Sequence, residues 1–143
     1  MAARKATARW DGSFREGGGN LRVASGAFEG SYSAESRFGD GSGTNPEELL
    51  GAAHAGCFSM ALALALGEGG HLPESIDTEA TVHIVRDGEG FTINRIDLVT
   101  RARVPGVDQE GFDQAAQAAK ENCPVSKALA AVPQVTLEAT LES

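Results

Sequence analysis

Cys57 lies in the apolar run AAHAGCFSMALALALGEG, and Cys123 immediately precedes Pro124 in KENCPVSKAL. If Pro124 opens a helix, Cys123 is its N-cap, where backbone amides and the helix dipole favour a thiolate. Cys57 taken alone reads as a small core residue, because free cysteine is among the most buried residue types. Taken with Cys123 it opens a second reading, thiol–disulfide exchange. A buried thiolate then needs a cation, since desolvation alone favours the neutral thiol. Arginine is the cation that stays charged when buried. Arg37, just before the loop that leads into the Cys57 helix, is the first candidate and Arg22 the second. An arginine in an apolar cleft needs a carboxylate in turn, and Glu47 is free for that role while Glu48 serves the helix cap. The competing reading of Arg37 is a solvated charge at a strand end.

Other chemistries fit less well. GDGSGT leads into a helix start, but neither GxGxxG nor GxxxxGK[ST] is met, Pro46 removes a donor, and Glu47 with Glu48 would repel a phosphate. Ser59 sits inside the long helix with no GxSxG elbow around it. His54 and Cys57 share a helical face at i, i+3, so a metal site with Cys123 is an alternative to a hydrogen-bonded core histidine, although no CxxC or HExxH pair supports it. No metal is expected.

The elements that must position these residues follow from pattern. Ala6, Ala8 and Trp10 alternate with charged or polar neighbours as a strand, EGGGN reads as a turn, and LRVAS and GSYSAESRF read as second and third strands. Asn45 is a natural N-cap, Pro46 suits N1, and Glu48 falls at N3 as in a capping box, so a helix is expected from Pro46 to about Leu66. From Leu49 to Leu66 it carries no charge unless His54 is protonated. That length approaches a membrane span, but acidic flanks and surrounding strands favour a helix covered by protein on every side. One small sheet covers one face, so a second subunit is expected. IDTEATVHIVR and FTINRIDLVTRARV form a hairpin through DGEG, with a bulge between Ile93 and Ile96. Asp108 caps a helix with Phe112, Ala115, Ala116 and Ala119 inward, NCP interrupts it before a short helix VSKALAAV, and Val135, Leu137, Ala139 and Leu141 mark a last strand. The order βββαββααβ is α+β.

Composition narrows the partners. Twelve Lys and Arg against 20 Asp and Glu among 143 residues, without a basic cluster, leave no footprint for nucleic acid or an anionic membrane. One domain spanning 1–143 is expected at this length. MAARKATARWDG holds no apolar run before a cleavage site, so a cytoplasmic location with free thiols is expected.

RFGDGSGTNPEELLGAAHAGCFSMALALALGE and NCPVSKAL, together with ARWDG, SIDTEA and VPGVD in the same order, resemble the OsmC/Ohr family of organic hydroperoxide reductases and follow its OsmC branch. The resemblance implies an OsmC-like fold, an intertwined homodimer with two active sites at the subunit interface, and a cysteine peroxidase without metal, haem or flavin. It implies Cys57 as the peroxidatic cysteine, Cys123 as the resolving one, Arg37 as the activating cation and Glu47 as the carboxylate holding that arginine. Phe58, Met60, Leu50 and Phe38 would then wall the site for an alkyl or fatty-acid hydroperoxide. The implied reductant is an external dithiol, a dihydrolipoyl group or lipoylated protein among them. A non-catalytic thiol sensor or binding module on the same fold is the alternative.

Overall fold

A computed structural model describes residues 2–142. They run in the order βββααββααβ and group into two compact units that adjoin in sequence between Leu49 and Leu50.

In the first unit β1 (Ala6–Asp11), β2 (Gly18–Val23) and β3 (Glu29–Tyr32) form an antiparallel sheet in that order. The glycine stretch expected as a turn enters β2, where Gly19 opposes Trp10. An added Cβ there would strike the Arg9 carbonyl and the Trp10 and Tyr32 rings, whose centroids are 5.2 Å apart. GSYSAESRF is only partly strand. The chain leaves the sheet at Tyr32, and Ala34–Phe38 forms a short helix, α1. Ser33 and Ser36 each accept a hydrogen bond from the other's backbone amide, at 3.1 and 2.8 Å. This local capping box overrides an alternation that also suits a strand.

The long helix α2 (Pro46–Glu68) starts where its cap places it, with Asn45 Oδ1 accepting from the Glu48 amide at 2.7 Å. Only that half of the expected capping box forms, because the Glu48 carboxylate instead accepts from the Thr44 hydroxyl at 2.9 Å.

In the second unit β4 (Ser75–Asp87) and β5 (Gly90–Arg103) form the hairpin, and β6 (Gln134–Leu141) adds in parallel to β5. His83 pairs with Arg95 and Ile84 with Ile93, so Asn94 is the bulged residue, inside the expected interval. α3 (Gln109–Asn122) is capped by Asp108, which accepts from the Gly111 amide at 2.8 Å, and α4 (Pro124–Ala128) ends sooner than VSKALAAV would allow. Phe58, Leu62 and Leu66 of α2 meet Ile96, Leu98 and Ala102 of β5 and Phe112, Ala116 and Ala119 of α3 in one core. Gly51 permits the close approach, since a Cβ there would lie 3.3 Å from the Ala80 carbonyl.

That core covers one face of α2. Met60 and Leu64 are 76 % and 65 % exposed, one turn apart on the other face. The helix is long and apolar enough to cross a membrane by composition, with mean hydropathy 1.8, yet only 28 % of the apolar window is buried within the chain. Within the second unit, the cover expected on every side of α2 reaches one face only.

Candidate active site

The second unit brings the two cysteines together. Cys57 rides on α2, half-buried, and Cys123 sits at the joint of α3 and α4, fully buried. Both thiols are free, and each shifts the acidity of the other. Pro124 holds N1 of α4 and Cys123 its N-cap, as the sequence predicts. The sulfur makes no direct cap bond of the kind a serine would; the amides of Ser126 and Val125 act on its charge instead.

This geometry divides the acidity of the pair unevenly. Burial pushes the Cys57 thiol up, the hydrogen bond to Cys123 adds to the rise, and the Val125 amide opposes it. Burial would also raise Cys123, but there it is overcome by the bond from Cys57, the Ser126 amide and hydroxyl, and the Val125 amide, so this thiol lies below its ordinary value. Of the two thiols, Cys123 is therefore the more acidic.

Access runs the other way. Cys57 opens on an apolar groove of about 870 Å³ whose walls include Met60, Ala61, Leu64, Ala118 and Pro124, with Glu68 at one end. Met60 is the one wall residue among those expected. Phe58 is turned fully into the core, and Leu50 is not part of the lining.

In the first unit, Arg37 and Glu47 form a two-point pair, Nε to Oε1 at 2.8 Å and a terminal nitrogen to Oε2 at 3.1 Å. Glu47 is 6 % exposed, and the guanidinium also lies 5.2 Å from the centre of the Phe38 ring. Arg37 is thus a fixed charge rather than a solvated strand end. Its own element is α1, which the sequence reading had as strand. Arg22 is exposed on β2 opposite Glu29.

His54 is fully buried, and its Nε2 lies 2.8 Å from the Ser126 hydroxyl. Burial lowers its pKa, which keeps the ring neutral. Among the described residues no group of three or more His, Cys, Asp or Glu side chains is placed to hold a metal. Ser59 donates to Thr78 at 2.7 Å and Thr78 meets Thr100 at 2.9 Å, so this hydroxyl ties α2 to the sheet.

The chain matches the family described as OsmC-like protein over residues 39–138. It is also 46 % identical to the peroxiredoxin OsmC of Escherichia coli over 98 % of its own length and 97 % of that protein. The chain belongs to the OsmC family. Within that family it is 35 % identical to an organic hydroperoxide resistance protein of Xanthomonas axonopodis pv. citri, over 68 % of this chain and 67 % of that one. The crystal structure of the organic hydroperoxide resistance protein OhrB of Bacillus subtilis superposes with a TM-score of 0.71 at 26 % identity, covering 99 % of this chain and 98 % of that one. The OsmC family match includes Glu47, Cys57 and Cys123, while Arg37 falls just ahead of it.

Two groups escaped the sequence reading. Ser126 meets His54 and bears on the acidity of Cys123, and its signal is the spacing Cys-x-x-Ser, which places it at N3 of α4, one turn from the N-cap. Asp97 on β5 accepts from Thr136, from Arg95 at 2.7 Å and meets His83 at 2.8 Å. These partners hold its carboxyl well below the usual carboxylate range. Residues from three strands build that cluster, and no local spacing announces it.

Proposed function

We propose that this OsmC family member is a thiol-dependent peroxidase that reduces organic hydroperoxides to alcohols, with Cys57 as nucleophile and Cys123 as resolving thiol. The observation that carries the reading is a pair of free thiols near enough to shift each other's acidity, one open to an apolar groove and the other buried at a helix start. Acidity alone favours Cys123 as the nucleophile, but a fully buried sulfur cannot meet a peroxide. Access supports Cys57. Arg37, clamped by Glu47, supplies in the assembled protein the cation that lowers the Cys57 pKa.

In the first step the Cys57 thiolate attacks the terminal peroxide oxygen. An S–O bond forms, the O–O bond breaks, and the departing alkoxide takes a proton to give the alcohol, leaving Cys57 as a sulfenic acid. In the second step the Cys123 thiolate attacks that sulfur, an S–S bond forms, the S–O bond breaks, and the hydroxide released takes a proton from solvent as water. An external dithiol, a dihydrolipoyl group in our reading, reduces the disulfide by two exchanges. The apolar groove favours an alkyl or fatty-acid hydroperoxide over hydrogen peroxide.

The chain acts as one domain and as a homodimer in this proposal, in the cytoplasm. A second copy covers the face of α2 that carries Met60 and Leu64. The test is mass spectrometry of the reduced protein after one equivalent of an organic hydroperoxide. A loss of two hydrogens, followed by turnover on adding dithiol, is expected. Oxidation that stops after one event would instead indicate a sensor, and no oxidation a binding module.

A further inference from the structure

We propose that the aromatic pocket beside Arg37 is an aryl-binding subsite, which seats the ring of a compact aryl-alkyl hydroperoxide and of the alcohol it becomes. This rests on the peroxidase reading above, in which Arg37 is the activating cation, and names a substrate class for it. The pocket lies wholly in the first unit. Its volume is about 300 Å³, and it is lined by Trp10, Phe14, Tyr32, Ser33, Ala34 and Arg37.

Each aromatic wall is held by contacts of its own. Trp10 Nε1 donates to the Gly12 carbonyl at 3.1 Å, so the indole spends its polar edge locally and offers the pocket its apolar body. The Trp10 and Tyr32 rings pack 5.2 Å apart against Gly19, where a Cβ would strike both. Phe14 stands on the turn between β1 and β2. Ser13 closes that turn, its carbonyl accepting from the Gly17 amide at 2.8 Å and its hydroxyl from the Glu16 amide at 3.1 Å. The Phe14 ring is 57 % exposed and lies 6.3 Å from that of Phe38, over which the Arg37 guanidinium sits. Single exposed apolar side chains need no explanation, whereas three rings around one hollow mark a ligand site.

Arg37 says what that ligand carries. Glu47 takes two of the five N–H groups of the guanidinium and fixes the direction of the others. An acceptor oxygen on a molecule in the pocket is the partner they suit. Because Glu47 already balances the charge, an uncharged hydroperoxide or alcohol oxygen fits where a second carboxylate would be repelled. Size narrows the organic group. Small-molecule pockets run from about 300 to 1,000 Å³, so this one admits one ring on a short alkyl stem, while an extended acyl chain suits the larger groove beside Cys57.

Trp10 is the chain's only tryptophan, so its fluorescence reports the pocket directly. The probe is 2-phenylpropan-2-ol, which needs no turnover, titrated into the reduced full-length protein. A saturable change in Trp10 emission is expected, with affinity about two- to tenfold above that of the cyclohexyl analogue, the margin that aromatic pairing adds to apolar contact. Phe14→Ala should weaken the phenyl alcohol severalfold, and Phe14→Tyr, which keeps the ring, should not. Phe14 is exposed, so both variants should fold. With cumene and tert-butyl hydroperoxides as substrates, Phe14→Ala should lower the ratio of their kcat/KM values severalfold. No saturable response, equal affinity for the two alcohols, or an unmoved ratio in Phe14→Ala would overturn the subsite. Binding with the expected preference but no peroxide turnover removes the peroxidase reading alone, whereas turnover without that preference removes the subsite alone.

Discussion

At Arg37 the guanidinium is committed to both oxygens of a buried carboxylate, so its charge is held in one place with little left to reorganise. Arg37→Met should slow the first oxidation of Cys57 by at least tenfold at pH 7, because burial already pushes that thiol up. The sign is fixed by the direction of the shift. A raised pKa means less thiolate below the midpoint, so the loss should shrink as pH rises through the shifted value, which stopped-flow oxidation at several pH values would reveal. Glu47→Gln should act the same way but less, and Glu48→Gln should leave the rate alone. The pairing of Arg37 with Glu47 expected from the sequence is formed, although Arg37 lies on a helix where a strand was expected, and Cys123 sits at the helix start that Pro124 announces. Ser126 and Asp97 were not legible, since what defines them is contact with residues far away in the chain.

The elements separate into those specified locally and those decided by packing. Asn45–Pro46 and Asp108 state where α2 and α3 begin, and the change of phase between Ile93 and Ile96 foretells the bulge at Asn94. α1 was missed because a serine pair can cap a turn or alternate along a strand, and only its bonds to the loop decide; Ser36 Oγ donates to the Thr44 carbonyl at 2.7 Å. The parallel seating of β6 beside β5 has no local signature at all. The Asp97 cluster joins β4, β5 and β6, and it makes the sheet sensitive to acid. A carboxyl held below its ordinary value adds stability that is fully present above its unfolded pKa of about 3.9 and is lost as pH falls through the folded value. Asp97→Asn should therefore lower Tm at pH 7, and the gap to the parent protein should narrow below about pH 4. Equal gaps at pH 7 and pH 3 would show that the charge is not what matters.

For the whole molecule, the exposed side of α2 is the largest unmet demand, and the proposed second copy answers it. Leu64→Glu should split the dimer in light scattering and lower Tm, whereas a lone exposed leucine would tolerate the change. An interface of the obligate class buries more than about 2,000 Å², so a parent protein that stays monomeric, folded and active at micromolar concentration would contradict the assembly. The fold's main service to the chemistry is to bring a thiol from the middle of one helix to the N-cap of another, a meeting that sequence spacing cannot foretell but family likeness can. The most direct measurement of the central claim is single-turnover peroxide consumption by Cys57→Ser and Cys123→Ser proteins. The account predicts none for Cys57→Ser and about one equivalent for Cys123→Ser, with a sulfenic acid trapped on Cys57. Activity that survives in Cys57→Ser and vanishes in Cys123→Ser would contradict it, and would make the more acidic, buried Cys123 the nucleophile.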